Sequence, residues 1–280
     1  MAAGYAVARR DPDPFGIDFT KPNIARVYDA FLGGKDNFAA DRAVVEQTLQ
    51  ITSDAAAGAV ANRGFLRRAV RYLARDAGLR QFIDIGSGLP AQGNVHEVAH
   101  EIDPRTRVVY VDNDPVVHRH SQALVAHREE VLVLAADARR PADILDDPGV
   151  RAFVDFSLPV GLLMFGILHH ILDEEDPAGI VAQFRAALAP GSHLAISSFR
   201  MPGQEHPEDH AKACAVQDLF GDTLGTGIWR EDREILGWFG DWALIEPGLV
   251  PLPEWRPDSA APPARDSTYY GFVGGVAAKH

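Results

Sequence analysis

The stretch Phe82-Ile83-Asp84-Ile85-Gly86-Ser87-Gly88-Leu89-Pro90-Ala91 decides the fold of this chain. It begins as a short, mostly apolar strand and runs directly into a Gly-x-Gly turn. Because glycine has no Cβ, the backbone of such a turn can approach a ligand closely, and the amides of the following helix point towards that ligand. The stretch therefore predicts a ligand site at the end of a strand.

Further apolar runs alternate with helical patterns beyond this turn. They are VVYVD at 108–112, VLVLAAD at 131–137, VGLLMF at 160–165 and HLAISSF at 193–199. Continuously apolar strands separated by helices are typical of a parallel sheet that is covered on both faces. Two late stretches, 243–252 and 268–276, predict a hairpin at the edge of this sheet. The sequence therefore predicts a doubly wound, Rossmann-like α/β fold.

The first 80 residues have a different character, because helical patterns occur there without a convincing strand. Apolar residues recur at three- and four-residue steps in three segments, 21–32, 36–51 and 53–76. We expect residues 1–20 to be a mobile N-terminal tail. Residues 21–79 are predicted to form a helical cap or lid, and residues 80–280 the core domain.

Composition and charge narrow the choice of partners. The 280 residues are 46% apolar and 24% charged, which is typical of a globular protein, and the formal net charge of −12 disfavours extensive contact with nucleic acid. The apolar stretch 158–172 is too short to span a membrane, and the N-terminus lacks the apolar region of a secretion signal. We expect a cytoplasmic protein without nucleic-acid or membrane partners; the sequence does not indicate its oligomeric state.

Acidic residues stand at the ends of three successive predicted strands. Asp84 precedes Gly86 by two residues, where a carboxylate would repel a pyrophosphate but would suit the ammonium group of a methionine moiety. Asp112 ends the next strand, where a carboxylate can accept hydrogen bonds from the hydroxyls of a ribose. Asp137 follows the third strand and could contact an adenine amino group. The pattern Gly86-x-Gly88-x-x-Ala91 also fits a dinucleotide fingerprint, so a nicotinamide cofactor stays an alternative.

Taken together, these motifs resemble known methyltransferases. The order of Asp-Ile-Gly-Ser-Gly, Val-Asp and Ala-Asp-Ala at the three strand ends is similar to the class I S-adenosylmethionine-dependent methyltransferases. More specifically, PNIARVYD at 22–29 and GGKDNF at 33–38 resemble a bacterial family of S-adenosyl methyltransferases, formerly a domain of unknown function. Further matching motifs are NVHE at 94–97, VDNDP at 111–115, LHH at 168–170 and EPGL at 246–249. The resemblance implies a mostly parallel seven-stranded sheet whose last strand is antiparallel.

The same resemblance implies which residues bind the cofactor. The implied contacts to S-adenosylmethionine are Asp84, Gly86, Ser87, Gly88, Asp112, Asn113, Asp137, Ala138 and Phe165. The glycine pair at 33–34 could fold over the cofactor, which makes Tyr28, Lys35 and Asn37 candidate lid residues. The alternative for this segment is a simple helix–helix turn that is capped by glycine.

Histidines give two further hypotheses. His96-Glu97-Val98-Ala99-His100 matches the His-Glu-x-x-His signature of zinc proteases, but Val98 and Ala99 are expected to cover the sheet, and we expect no metal site. His169 follows the fourth strand, whose end borders the ligand crevice of such a fold, and is our candidate general base. A packed histidine that shapes the pocket is the alternative interpretation.

The sequence therefore predicts a methyltransferase that uses S-adenosylmethionine and acts on an unidentified acceptor. We expect this acceptor to be a small molecule, because helices before the core and between residues 205 and 239 are predicted to roof the site. Two alternatives stay open. One is a non-catalytic protein that binds S-adenosylmethionine, and the other is an NAD-dependent oxidoreductase.

Overall fold

A computed structural model describes residues 18–91 and 93–280. Most of the predicted tail at 1–20 lies outside these residues. The strands are β1 (Gln81–Ile85), β2 (Arg107–Asp112), β3 (Val131–Ala135), β4 (Gly161–Phe165), β5 (His193–Phe199), β6 (Ala243–Leu244), β7 (Val250–Pro251) and β8 (Phe272–Ala278). The helices are α1 (Ile24–Phe31), α2 (Ala39–Ile51), α3 (Ala55–Arg75), α4 (Val95–His100), α5 (Pro115–Val125), α6 (Pro141–Leu145), α7 (Pro148–Phe153), α8 (Pro177–Ala187), α9 (Pro207–Leu224), α10 (Asp232–Phe239) and α11 (Ser267–Gly271).

The strands of the described residues form one sheet in the order β3-β2-β1-β4-β5-β8-β6, and β7 also pairs with β8. Strands β1 to β5 are parallel, whereas β8 runs antiparallel to β5. The predicted Rossmann-like, mostly parallel sheet with an antiparallel last strand is thus confirmed. The direction of winding reverses between β1 and β4, and ligands bind beyond the carboxyl ends of strands at such a switch point.

One detail of the sheet differs from the expectation. It has eight strands instead of seven, because the stretch after α10 pairs with β8 as two short segments, β6 and β7. Pro247 has no N–H to donate and Gly248 has a φ of +90°, so these two residues leave the ladder. The predicted hairpin at the edge of the sheet is present, and within it β8 lies between β5 and the β6–β7 segments.

Helices cover both faces of the sheet. One face packs on α8 and α10, with Phe184 and Trp238 among the buried side chains, and the other packs on α3 and α4. Phe65 and Leu73 of α3 are fully buried against β1 and β4 side chains such as Phe82 and Leu163. Although α3 lies inside the predicted cap at 21–79, it therefore forms part of the sheet's covering layer.

Helices α1 and α2 form a smaller unit with α9. Val27, Val44 and Phe220 share a separate apolar cluster there. None of the helices in the described part of the chain combines the length and apolar character that a membrane span needs.

The first of the motifs that resemble the family, at 22–29, caps α1 and ties it to α2. Asn23 caps α1 by accepting hydrogen bonds from the amides of Ala25 and Arg26. The Arg26 guanidinium Nε lies 2.9 Å from Oδ2 of Asp41, and both side chains are almost fully buried. The Asp41 carboxylate also accepts from the amides of Asn23 and Phe38, so α1, the loop after it and α2 are tied at one point.

Candidate cofactor and acceptor site

A cavity of about 250 Å³ opens at the carboxyl ends of β1, β2 and β4. The glycine turn after β1 forms one side of this cavity. Side chains of α1, α3 and α9, together with the start of α11, roof the other side. The predicted ligand crevice and helices of the predicted cap thus border the same cavity.

The glycine turn is held in a conformation that requires glycine. Gly86 and Gly88 have φ angles of +70° and +66°, which other residues rarely adopt. The amides of Gly86 and Ser87 donate to the carbonyl of Val111, at 2.8 and 3.1 Å, so β2 fixes the turn. A Cβ on Gly86 would also lie 2.7 Å from atoms of the Ile167 side chain. The turn is therefore fixed in place, with Gly86 packed against Ile167 and Gly88 facing open space.

Asp84 and Asp112 come together at the floor of the cavity. Asp84 is only 4% exposed, and this burial raises the pKa of its carboxyl to about 7; the positive charge of Arg63 opposes the shift and the negative charge of Asp112 adds to it. Burial also raises the pKa of Asp112, although its two oxygens accept amide hydrogen bonds from Gly88 and Asp114, each at 2.9 Å. Both acids sit where a cationic or hydroxylated ligand would compensate their desolvation.

Most of the predicted cofactor residues line this cavity, but two do not. Ser87, Asn113 and Phe165 line it together with the glycines and the two acids. Asp137 and Ala138 lie outside its lining. Partial burial acts to raise the pKa of Asp137, but hydrogen bonds from the side chain and amide of Arg139, both 2.9 Å long, outweigh this and lower it. A contact between Asp137 and adenine stays a prediction.

The candidate lid loop is organised by Asp29 of α1. Its Oδ2 accepts from the amide of Asp36 and from Nδ2 of Asn37, both at 2.9 Å, and a Cβ on Gly34 would collide with its carboxylate. The polar atoms of Asn37 thus bond within the loop, and the exposed Lys35 does not line the cavity. Tyr28 does line it. Of the three candidate lid residues, Tyr28 alone is placed to meet a ligand.

His169 lies in the wall of the cavity in a fixed orientation. Its Nδ1 accepts the amide hydrogen of Phe199 at 3.2 Å, and its ring stacks on the Phe199 ring with 3.6 Å between centroids. Burial lowers the pKa of His169 well below its usual range, and nearby His170 and Arg230 act in the same direction. The neutral ring then carries its proton on Nε2, which makes this nitrogen a hydrogen-bond donor.

The His-Glu-x-x-His motif has a structural role. His96 is fully buried, and its Nδ1 lies 2.8 Å from the hydroxyl of Tyr110, whereas Nε2 of His100 lies 2.8 Å from the carbonyl of Thr106. Within residues 18–91 and 93–280, no group of three or more metal-ligating side chains is found. The motif joins α4 to the sheet.

Sequence reasoning missed two residues of α3 that line the cavity. Asn62 is 4% exposed, and Arg63 donates from Nη2 to the carbonyl of Gly93 at 3.0 Å, beside the glycine turn. Their signal in the sequence is weak: two polar residues within a helical run of alanine, glycine and valine, AAAGAVANRG at 55–64. Large polar side chains on the buried face of a helix need partners, and this need could have pointed to a site.

The fold and the site together define a class of protein. A mostly parallel sheet with a reversed strand, a glycine turn after β1 and an acid at the end of β2 are the elements of a methyltransferase that uses S-adenosylmethionine. The chain belongs to the S-adenosyl methyltransferase family, whose sequence model it matches over residues 11–280. It is accordingly a methyltransferase whose cofactor is S-adenosylmethionine.

Two solved structures are similar to this chain over nearly its whole length. A protein from Thermobifida fusca, solved as a candidate methyltransferase, is 42% identical, with a TM-score of 0.89 over 95% of this chain and 98% of its own. A DUF574 family protein from Streptomyces avermitilis is 36% identical, with a TM-score of 0.86 over 93% and 98% of the two chains. The comparison with curated proteins found no match.

Proposed function

We propose that this methyltransferase acts on a small molecule that binds in the same enclosed cavity as the cofactor. The observation that carries the proposal is the continuity of the cavity from its floor at Asp84 and Asp112 to the roof formed by α1, α9 and α11. A roofed cavity of this size admits a small molecule more readily than a segment of a polymer. The cytoplasmic location stays a prediction.

The residues of the cavity floor fit S-adenosylmethionine. The buried Asp84 carboxylate lines the cavity, and Ser87 Oγ is buried without a partner among the described residues. We propose that Asp84 holds the ammonium group and that Arg63 holds the carboxylate of the methionine portion. Asp112 and Asn113 would hold the ribose. When bound, the cofactor supplies an electrophilic methyl group on a sulfonium.

The protein's own contribution is alignment and the exclusion of water. Phe165 and Gly166 lie at the end of β4, where the acceptor and the methyl group would meet. His169 is proposed to act there as a fixed neutral hydrogen-bond donor instead of the general base that its position suggested. An NAD-dependent oxidoreductase is not favoured, because the Asp84 carboxylate would face the pyrophosphate.

Calorimetric titration tests the proposed cofactor site directly. We expect the protein to bind S-adenosylmethionine and S-adenosylhomocysteine and not NAD. Consumption of S-adenosylmethionine with a panel of small acceptors then tests catalysis. Binding of the cofactor with methylation of a purified polymer and of none of the small molecules would contradict the small-molecule proposal.

The affinity for S-adenosylhomocysteine should depend on pH through Asp84. In the free protein this carboxyl has a pKa of about 7, so below that pH it is protonated and must lose a proton before it can pair with an ammonium group. The affinity should therefore rise between about pH 5 and pH 7, by at most about tenfold per pH unit, and level off above this range. The charges of Arg63 and Asp112 act on the same carboxyl in opposite directions and so help to set this pH range.

Calorimetry at pH 6 in two buffers of different ionisation enthalpy measures the proton that is released on binding. We expect close to one proton per ligand. A pH-independent affinity without proton release would show that Asp84 does not bind the ammonium group.

Arg63→Met should weaken S-adenosylhomocysteine binding by roughly 10- to 100-fold, because one charge-assisted contact is lost. At pH 8 the same substitution should weaken decarboxylated S-adenosylhomocysteine much less, since that ligand lacks the group that Arg63 is proposed to hold and is affected only through the raised pKa of Asp84. Arg71→Met is the matched control, because Arg71 lies two turns further along α3 and pairs with Asp258 at the surface. An equal loss of affinity for both ligands in Arg63→Met would indicate a purely structural role.

A further inference from the structure

The half of the cavity beyond Gly166 is largely apolar, and its polar groups are already engaged. Phe31, Val216, Phe220 and Phe272 are among its lining residues. Thr48 donates to the carbonyl of Val44, and Thr52 and Thr268 donate to nearby carboxylates. Because these hydroxyls are satisfied within the protein, the walls offer few groups to a sugar, a nucleotide or a peptide.

The amide of Asn62 faces this space with its N–H side. Tyr28 donates its hydroxyl hydrogen to the carbonyl of Ala59, at 3.2 Å, so it accepts from Asn62 Nδ2, at 3.1 Å. This orientation turns Oδ1 of Asn62 towards Ser197, whose hydroxyl donates to it at 2.6 Å. Nδ2 lies 3.2 Å from the position of a Cβ on Gly166. A ligand beside Gly166 therefore meets a hydrogen-bond donor.

A stack of three rings places one more donor beside Gly166. Phe199 lies between His169 and Trp229, with centroid separations of 3.6 and 4.2 Å and interplanar angles of 16° and 14°. His169 carries its proton on Nε2, because Nδ1 accepts from Phe199, and the adjacent Cε1 lies 3.8 Å from the position of a Cβ on Gly166. His169 Nε2 has no hydrogen-bond partner in the described part of the chain. Trp229 lies on the far face of Phe199, so its Nε1 cannot share a ligand oxygen with His169 Nε2.

The wall that carries these rings is fixed by buried contacts. Arg230 is 3% exposed and donates to the carbonyls of Leu168 and Ile171, on both sides of the histidine pair. The amide of Ile228 donates to the carbonyl of His169 at 2.8 Å. The donors are thus held in place before a ligand arrives, which is the arrangement that stabilises a developing or bound negative charge.

The charged side chains of this half are Lys212 and Asp209 at the start of α9. Lys212 donates to the hydroxyl of Ser267 at 3.0 Å and lies 4.0 Å from Asp209, so the two charges offset each other. His170 also lines the cavity. Burial lowers its pKa to about 4, so the ring is neutral. Its Nδ1 is buried without a hydrogen-bond partner among the described residues. The free polar groups near Gly166 are predominantly donors.

We infer that the acceptor is an apolar small molecule that is methylated on the oxygen of a phenol or enol, which Asn62 and His169 bind as its oxyanion. This inference rests on the proposed function. An amine would turn its own N–H groups towards these donors, whereas an oxygen that has already ionised accepts from both. The proton leaves to solvent when the acceptor binds. In the transfer, the oxyanion forms the new C–O bond while the methyl–sulfur bond breaks and its electron pair stays on sulfur.

The ionisation of a bound phenol tests this inference. With S-adenosylhomocysteine at saturation, the absorbance of 4-nitrophenolate is followed against pH. We expect the bound phenol to ionise about tenfold more readily than in water, a shift of about one pKa unit. His169→Phe keeps the ring stack and removes the N–H, so it should reduce this shift. His193→Phe is the matched control, because His193 lies at the opposite end of β5 from Phe199 and does not line the cavity.

A second measurement compares 2-naphthol with 2-naphthylamine as acceptors of a methyl group from S-adenosylmethionine, with mass spectrometry of the products. We expect 2-methoxynaphthalene to form at least about tenfold faster than the N-methylated amine. Preference for the amine, a bound phenol that stays neutral, or an unchanged shift in His169→Phe would overturn the inference. Absence of S-adenosylhomocysteine binding would instead overturn the proposed cofactor site.

Discussion

Asp84→Asn is expected to weaken the binding of S-adenosylmethionine by about 100-fold, which corresponds to about 2.7 kcal/mol. The substitution keeps the size of the side chain and removes the charge that the ammonium group would meet. The loss should be large because the carboxylate is buried at the floor of the cavity, where water cannot replace it. Calorimetric titration of both proteins at pH 8, above the pKa of Asp84, measures the difference.

The control for this prediction is Asp137→Asn. Asp137 also follows a strand, but its carboxylate bonds to Arg139 and does not line the cavity. We expect at most a few-fold change in affinity for this variant, because the asparagine oxygen can still accept a hydrogen bond from an adenine amino group. If Asp137→Asn weakened binding as strongly as Asp84→Asn, the large effect would not be specific to a charge that meets the ammonium group.

Arg26→Met is expected to destabilise the protein by about 3–5 kcal/mol. The substitution preserves much of the apolar stem of the side chain and leaves Asp41 as a buried charge without its cation. Two backbone amides would still donate to that carboxylate, but they do not neutralise it. Urea-induced unfolding followed by circular dichroism gives the change in the free energy of unfolding.

An exposed ion pair serves as the comparison. Arg140 and Asp143 lie 3.3 Å apart with side chains that are 71% and 57% exposed, so Arg140→Met should change the stability by less than about 1 kcal/mol. Equal effects of the two substitutions would show that the contact between α1 and α2 contributes no more than a surface pair. Because Tyr28 lies on α1, we also expect Arg26→Met to weaken the binding of acceptors.

The sheet and the glycine turn could be predicted because their signals are local. A continuous apolar run that ends in Gly-x-Gly can be recognised within ten residues. Parallel strands then bring their carboxyl ends to one edge of the sheet. The proximity of Asp84 and Asp112 therefore follows from the sequence alone. The sequence also predicts a turn at 33–37. Whether this turn acts as a lid depends on contacts with other parts of the chain.

The roles of individual polar groups could not be predicted, because they depend on contacts between distant parts of the chain. The position of His169 suggests a general base, but the amide of Phe199, thirty residues later, occupies its Nδ1. The orientation of Asn62 depends on Ser197, 135 residues away. Asp137 has the same local pattern as Asp112, but it pairs with Arg139, which is held in turn by Glu175, 36 residues later.

The position of β8 inside the sheet has a consequence for how the protein is made. Residues 272–278 leave the ribosome after all the other strands of the sheet. In the folded protein they nevertheless lie between β5 and the β6–β7 segments. Until they arrive, β5, whose side chains are nearly all buried in the folded protein, presents an unpaired edge that can join the edge of another nascent chain. Biosynthesis of this enzyme thus contains an interval in which a central strand lacks one neighbour, and the arrival of β8 ends that interval.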